Sequence, residues 1–286
     1  MNILAPENNV LIAMPVIVGK ALLRLTAPNA GPMTGNGTNT YLIKANDKFA
    51  VIDPGPNDKK HIEAILSAVG GAANIDKIFV THMHPDHSPA AQPLAELSNA
   101  KIYGWHPVID DYQDISCNPD YIVKHDEIIV IGDQQLRCLH TPGHVDNHVC
   151  YLLENENIVM TGDHMMQGST VVIIPPHGNM KKYIESLRLL THYPISQLAP
   201  GHGEMILTPT EEIEGIIRHR LAREKKVINA LEELVRVSID ELVTVVYDDV
   251  DSSMHPIAEL SLLAHLIKLE EENRVLRNEG KWLFRQ

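Results

Sequence analysis

Four stretches of this chain end an apolar run on a metal-binding side chain, and together they constrain the fold more than any other feature. The first is Thr81-His82-Met83-His84-Pro85-Asp86-His87, which has the pattern H-x-H-x-D-H. The others follow in order: His144 in Thr141-Pro142-Gly143-His144, Asp163 in Thr161-Gly162-Asp163, and His202 in Pro200-Gly201-His202-Gly203. Five imidazoles and two carboxylates can fill two metal shells. Any one of these histidines alone reads as an ordinary surface or core residue. The whole set in this order reads as a two-metal hydrolytic centre.

The donor types assign themselves to two sites. His82 and His84 lie two apart just after a strand and can converge on one ion, with His144 as the third ligand. Asp86 and His87 face the other way and would hold a second ion with His202. Asp163 can bridge, because a carboxylate has two oxygens. Nitrogen and oxygen donors of this kind suit two divalent ions, zinc in the first instance and also iron or manganese. Two ions roughly 3.5–4 Å apart can hold a hydroxide at neutral pH for attack on an acyl or phosphoryl centre. Asp86, both ligand and base, is placed to orient the nucleophile or take its proton.

The formal net charge of -13 disfavours broad attraction to nucleic acid or an anionic membrane. The three cysteines, Cys117, Cys138 and Cys150, form no C-x-x-C, which points to reduced thiols and a cytoplasmic protein. The apolar segment from Val10 to Gly19 is too short to span a bilayer and reads as a strand.

Short strands alternate with helices through the first part of the chain. Strands are expected at Thr40–Ile43, Phe49–Asp53 and Ile75–Thr81, and again at 101–104, 127–131, 136–140, 149–153, 158–161 and 197–199. Helices are expected over 62–69, from Pro89 to about Leu97, and over 181–190. This cadence predicts two sheets covered by helices, an α/β layered sandwich over residues 1–208. From Thr208-Pro209 onward the pattern changes to three helices and a hairpin turned at Asn278-Glu279-Gly280, a winged-helix-like domain over 209–286. Its third helix carries Glu259, Glu270, Glu271 and Glu272 against Lys268 and Arg274, so DNA reading is not expected. The basic run Arg218, Arg220, Arg223, Lys225 and Lys226 on the preceding helix is the one candidate path for an anionic strand. Its simpler reading is a solvated helix face paired with Glu224.

The ordered donor elements resemble the metallo-β-lactamase superfamily over residues 32 to 204. That resemblance implies a four-layer αββα sandwich with the dinuclear site at the edge between the sheets. A closer likeness is to the β-lactamase-like protein 2 group. It rests on Gly31-Pro32-Met33-Thr34 leading into Gly37-Thr38-Asn39-Thr40, on Asp146-Asn147-His148 after His144, and on tail residues His219-Arg220, Arg223-Glu224, Leu262 to Glu270 and Lys281-Trp282. The group includes a single-strand-specific endoribonuclease. Two departures lie where substrate would sit: Val171 to Met180, and Pro89-Ala90-Ala91 where Gly-Gly is usual.

Further candidates surround the ligands. Asp53, at a strand end before Pro54-Gly55, reads either as an acid behind the ligands or as a turn acceptor. His148 would donate to a ligand or line the pocket. His164 would be a leaving-group acid or phosphate contact, or else pack behind Asp163. His177 and Tyr183 are expected at the pocket rim. The favoured activity is hydrolysis of a small ester, thioester or lactone. A single-stranded RNA substrate comes second, a β-lactam third, and a non-enzymatic winged-helix regulator fourth. The sequence sets no oligomeric state.

Overall fold

A computed structural model describes residues 14–108 and 110–285. Part of the Val10–Gly19 segment therefore lies outside the described residues, and its remainder contributes the two-residue strand β1 (Val16–Ile17). The first sheet runs β1, β2 (Leu22–Thr26), β3 (Asn39–Ala45), β4 (Lys48–Ile52), β5 (Ile75–Phe79), β6 (Lys101–Gly104) and β7 (Tyr121–Ile122) in that spatial order. It is antiparallel up to β4 and parallel from β4 to β7. The second sheet comprises β8 (Glu127–Ile131), β9 (Gln134–His140), β10 (Val149–Leu153), β11 (Ile158–Gly162) and β12 (Gln197–Pro200), with only the β11–β12 pair parallel.

The central strands are apolar almost throughout because both of their faces are buried. Successive side chains point to opposite faces. Tyr41 and Ile43 on β3 therefore meet Val149, Tyr151 and Leu153 on β10 in the layer between the sheets. Leu42 turns outward onto α1 (Lys59–Val69) and α2 (Ala91–Ser98). Cys150 and Leu152 turn outward onto α3 (Met180–Leu190) and the first half of α4 (Pro209–Leu234). The result is the four-layer αββα sandwich. Helix α2 starts at Ala91, two residues later than Pro89 suggests, because His87 to Ala90 first make a turn at the metal motif. All three cysteines are buried and unpaired.

Helix α4 is shared. Ile213 and Ile216 pack under the second sheet, while Val227, Ala230 and Leu231 belong to a separate core with α5 (Ile239–Val246), α6 (His255–Glu271) and the hairpin β13 (Val275–Asn278)–β14 (Lys281–Phe284). The basic run on α4 is the solvated face that its spacing suggests only at Arg218, Lys225 and Lys226. Arg220 and Arg223 are buried, and Glu224 turns inward to Lys268 at 2.6 Å. No helix among the described residues is long and apolar enough to cross a membrane.

The two sheets are tied at one end. Val149 donates its N–H to the Thr81 carbonyl and Asn39 to the Gly201 carbonyl, each at 2.7 Å. The hydroxyls of Tyr151 and Tyr41 donate to the Val80 and Pro200 carbonyls, each at 2.8 Å. All seven proposed ligands lie in the loops at this tied end, just past β5, β9, β11 and β12. Gly143 shows how closely these loops are packed. Its φ is +148°, and a Cβ there would stand 2.3 Å from the Tyr183 Cα. Gly143→Ala is expected to cost about 2–4 kcal/mol, read as a lower urea midpoint. An unchanged midpoint would contradict this packing.

Candidate metal centre

The seven donors gather into two clusters, one of His82, His84, His144 and Asp163, the other of Asp86, His87 and His202. In the first, His84 Nδ1 lies 2.9 Å from His82 Nε2 and 3.0 Å from His144 Nε2. In the second, His87 Nε2 and His202 Nε2 are 3.3 Å apart, and Asp86 Oδ2 is 3.4 and 3.2 Å from them. Asp163 joins the two. Its Oδ1 stands 3.3 Å from both His87 Nε2 and His202 Nε2, and its Oδ2 faces His144 Nε2 at 3.7 Å.

These separations can be tested against a metal. Four ligands about 2.0–2.1 Å from a tetrahedral zinc ion stand about 3.3–3.4 Å from one another. The second cluster with Asp163 Oδ1 matches that spacing; in the first the imidazoles stand slightly closer and Asp163 Oδ2 slightly farther. The hydrogens agree as well. His82 Nδ1 donates to Thr81 Oγ1 at 3.0 Å, since that hydroxyl itself donates to Asp53 Oδ2. His87 Nδ1 donates to Asp53 Oδ2 at 2.9 Å, His144 Nδ1 to the Val172 carbonyl at 2.9 Å, and His202 Nδ1 to the Gly37 carbonyl at 3.3 Å. In these four rings the outer nitrogen has the acceptor for a proton, which leaves the inner nitrogen's lone pair for an ion.

The electrostatics point the same way. Burial keeps His82, His84 and His144 neutral, lowering His84 to about 3. Burial opposes a charge on His87 and His202 too, but the carboxylates outweigh it. Asp86, Asp163 and Asp53 raise His87 well above its ordinary value, and Asp163 and Asp86 raise His202 to about 9. Asp163 stays ionised despite its burial because His87 and His202 face it. A site that draws protons this strongly also draws cations.

Gly201 makes room for this convergence. A Cβ there would fall 2.7 Å from His87 Cε1 and 2.8 Å from Asp163 Oδ1.

The surrounding candidates divide. Asp53 is the acid behind the ligands: its Oδ1 accepts the Thr81 N–H at 2.7 Å and its Oδ2 serves Thr81 Oγ1 and His87. His177 stands at the cavity rim, 3.5 Å from Asp146 and 3.9 Å from Asp110. The expectations for Tyr183 and His148 need correction, and for His164 the packing alternative holds. Tyr183 is buried, not at the rim, and its hydroxyl donates to the His164 carbonyl at 2.9 Å. His164 is buried with its ring against Tyr183 at 5.0 Å, so it packs and cannot reach a leaving group. His148 neither contacts a ligand through a hydrogen bond nor lines the cavity; it meets Thr141 Oγ1 at 3.0 Å, and its ring packs 5.1 Å from that of His82.

The centre opens into a cavity of about 750 Å³. His84, Asp86, His144, Asp163 and His202 form one part of its wall, and Met166 and the 169–174 loop another. The remainder comes from α4, α5–α6 and their connection, including Arg220, Tyr247, Met254 and Ile257. The C-terminal domain thus shapes the cleft, as sequence reasoning expects in place of DNA reading, but the sequence did not place these residues in its wall or single out Thr38 and Thr81. Thr38 Oγ1 donates to Asp86 Oδ2 at 3.2 Å.

Comparison with known proteins agrees with this geometry. The model of the metallo-beta-lactamase superfamily matches residues 33–202, and that of the beta-lactamase associated winged helix domain matches residues 238–282. A beta-lactamase-like protein 2 homologue of Drosophila melanogaster is 29% identical over 272 residues, covering 89% of each chain. A lactamase-like protein of Trichophyton equinum is 30% identical over 300 residues, covering 96% of this chain and 85% of its own. A metallo-beta-lactamase family protein from Thermus thermophilus superposes with a TM-score of 0.77 at 21% identity, over 93% of this chain and 99% of its own.

Proposed function

The chain belongs to the metallo-beta-lactamase superfamily, and we propose that it is a dinuclear metal-dependent hydrolase of a small ester, thioester or lactone. One observation carries this reading: two donor clusters share Asp163 on the wall of a cavity of about 750 Å³ that the C-terminal helices help to enclose. That volume suits a small molecule.

Two divalent ions held by these donors, zinc in the first instance, supply Lewis-acid activation of a carbonyl and of water. The chain's own residues do the rest. Asp163 fixes the spacing of the clusters through its two oxygens. Asp86 is the carboxylate more open to the cavity, its side chain 27% exposed against 13% for Asp163. It can therefore take a proton from the attacking water and return it to the leaving group. Thr38 and His202 hold its Oδ2 in place. Val145, Met166, Val172 and Ile174 shield the acyl portion from water.

The endoribonuclease reading needs a cationic track, and the α4 run does not supply one. Arg218 faces Glu214, Arg223 faces Asp249, and Lys226 faces Asp248. A paired assay separates the two readings: a panel of thioesters, esters and lactones against a labelled single-stranded RNA, with the Asp86→Ala/His87→Ala double variant as control. Turnover of a small acyl substrate is expected, falling by about 10³-fold or more in the double variant. RNA cleavage lost in that variant, with no acyl turnover, would reverse the assignment.

A further inference from the structure

Arg220 is a buried cation with no counter-charge among the described residues. Three other cations of the α4 run are paired, Arg218 with Glu214 at 3.3 Å, Arg223 with Asp249 at 2.6 Å and Lys226 with Asp248 at 2.6 Å, while Lys225 is exposed to solvent. Across from them, Glu224 is taken by Lys268 at 2.6 Å and Arg274 at 3.4 Å. Arg220 is 3% exposed, and no carboxylate among the described residues pairs with it. One guanidinium nitrogen donates to the Val171 carbonyl at 2.5 Å, its Nε has no partner among the described residues, and the Tyr183 ring lies 5.4 Å away. His265, also buried, offers no counter-charge: burial, then the charges of Arg220 and Lys268, hold it neutral.

An arginine keeps its charge at any physiological pH, and a buried charge with no partner is strongly unfavourable. What Arg220 does have is a free side: it lines the same cavity as the metal ligands. The connection is short. Val171 accepts from Arg220, and the next carbonyl, Val172, accepts from His144 Nδ1. One loop therefore fixes the cation and a metal ligand at the same time.

We infer that Arg220 receives an anionic group of the substrate, a carboxylate or phosphate on the same molecule whose electrophile lies against Asp86 and His144. The identity of that molecule rests on the hydrolase reading, whereas the anion site does not. The site narrows the substrate to an acidic acyl compound. It also gives the C-terminal domain a task, since the residue that would read the anion belongs to the helix that both domains share.

The test titrates the full-length, metal-loaded protein with inorganic phosphate and separately with glutarate, by calorimetry, and repeats both after EDTA treatment. Saturable binding of at least one probe that survives chelation is expected, and the stronger probe tells phosphate from carboxylate. Arg220→Gln is expected to weaken it at least about tenfold, with Arg220→Lys restoring most of the loss. Arg218→Gln, an exposed cation already paired, is expected to leave it unchanged. Ala258→Asp covers the case in which Arg220→Gln unfolds, because it adds a carboxylate to the same wall and keeps Arg220; it too is expected to abolish binding. No saturable binding, binding lost entirely on chelation, or binding retained in whichever of these two variants folds would overturn the inference. Failure of the hydrolase reading has a different signature: phosphate or glutarate still binds, but no acyl substrate turns over.

Discussion

Asp163→Asn is expected to lower turnover by roughly 10³-fold and to leave the purified protein with about one metal equivalent or fewer in place of two. The carboxylate serves both clusters at once, Oδ1 toward His87 and His202 and Oδ2 toward His144. An amide has nearly the same shape but one oxygen, and its nitrogen presents hydrogens where a lone pair is required. Whichever way it turns, one cluster meets an N–H. The substitution also removes a negative charge from the site that holds His202 up at about 9, so the pull on a second cation weakens. Metal analysis after desalting and kcat/KM on the best acyl substrate provide the check. Two metal equivalents with turnover within tenfold of the parent would show that Asp163 does not bridge.

The place of Asp163 between the two clusters is readable from the sequence because metal ligation depends on donor type and order. Each of the four ligand stretches follows an apolar run and contains a glycine or proline, so strand ends and donors coincide. The two-sheet sandwich is legible for a related reason: Val149–Leu153 and Ile158–Gly162 are apolar on both faces, as strands with cover on each side must be. Strand β2 is harder to see because Arg24 breaks its apolar run. The charge is accommodated by Glu204 at 2.8 Å and the Gly203 carbonyl at 3.1 Å, both distant in sequence. The direction in which a helix faces is not legible either. Tyr183, Arg220 and Arg223 sit at spacings that suit a solvated or a buried face, and only packing on the second sheet and on α5 turns them inward. For the same reason no local pattern shows which residues of the C-terminal helices wall the cavity.

Asp53→Ala is expected to weaken both metal sites together, by about 10- to 100-fold each, although Asp53 belongs to neither cluster. One carboxylate orients a ligand in each. Its Oδ2 takes the His87 Nδ1 proton directly at 2.9 Å, and through Thr81 Oγ1 at 2.7 Å it fixes the hydroxyl that accepts from His82 Nδ1. Its Oδ1 meanwhile accepts the buried Thr81 N–H at 2.7 Å, just where β5 gives way to the metal motif. Alanine leaves that N–H, the Thr81 hydroxyl proton and the His87 Nδ1 proton without acceptors in a buried site, which costs about 1–3 kcal/mol for each group left unsatisfied. His82 and His87 are then free to shift the proton to the inner nitrogen, where it competes with the ion. The pattern of loss is the diagnostic. Asp86→Ala touches only the second cluster and is expected to remove one equivalent first. Asp53→Ala is expected to release two in parallel when titrated with a competing chelator. Asp53→Asn keeps one acceptor oxygen and is expected to fall between alanine and the parent. Wild-type affinity at both sites in Asp53→Ala would mean that the ligands are held by their loops alone.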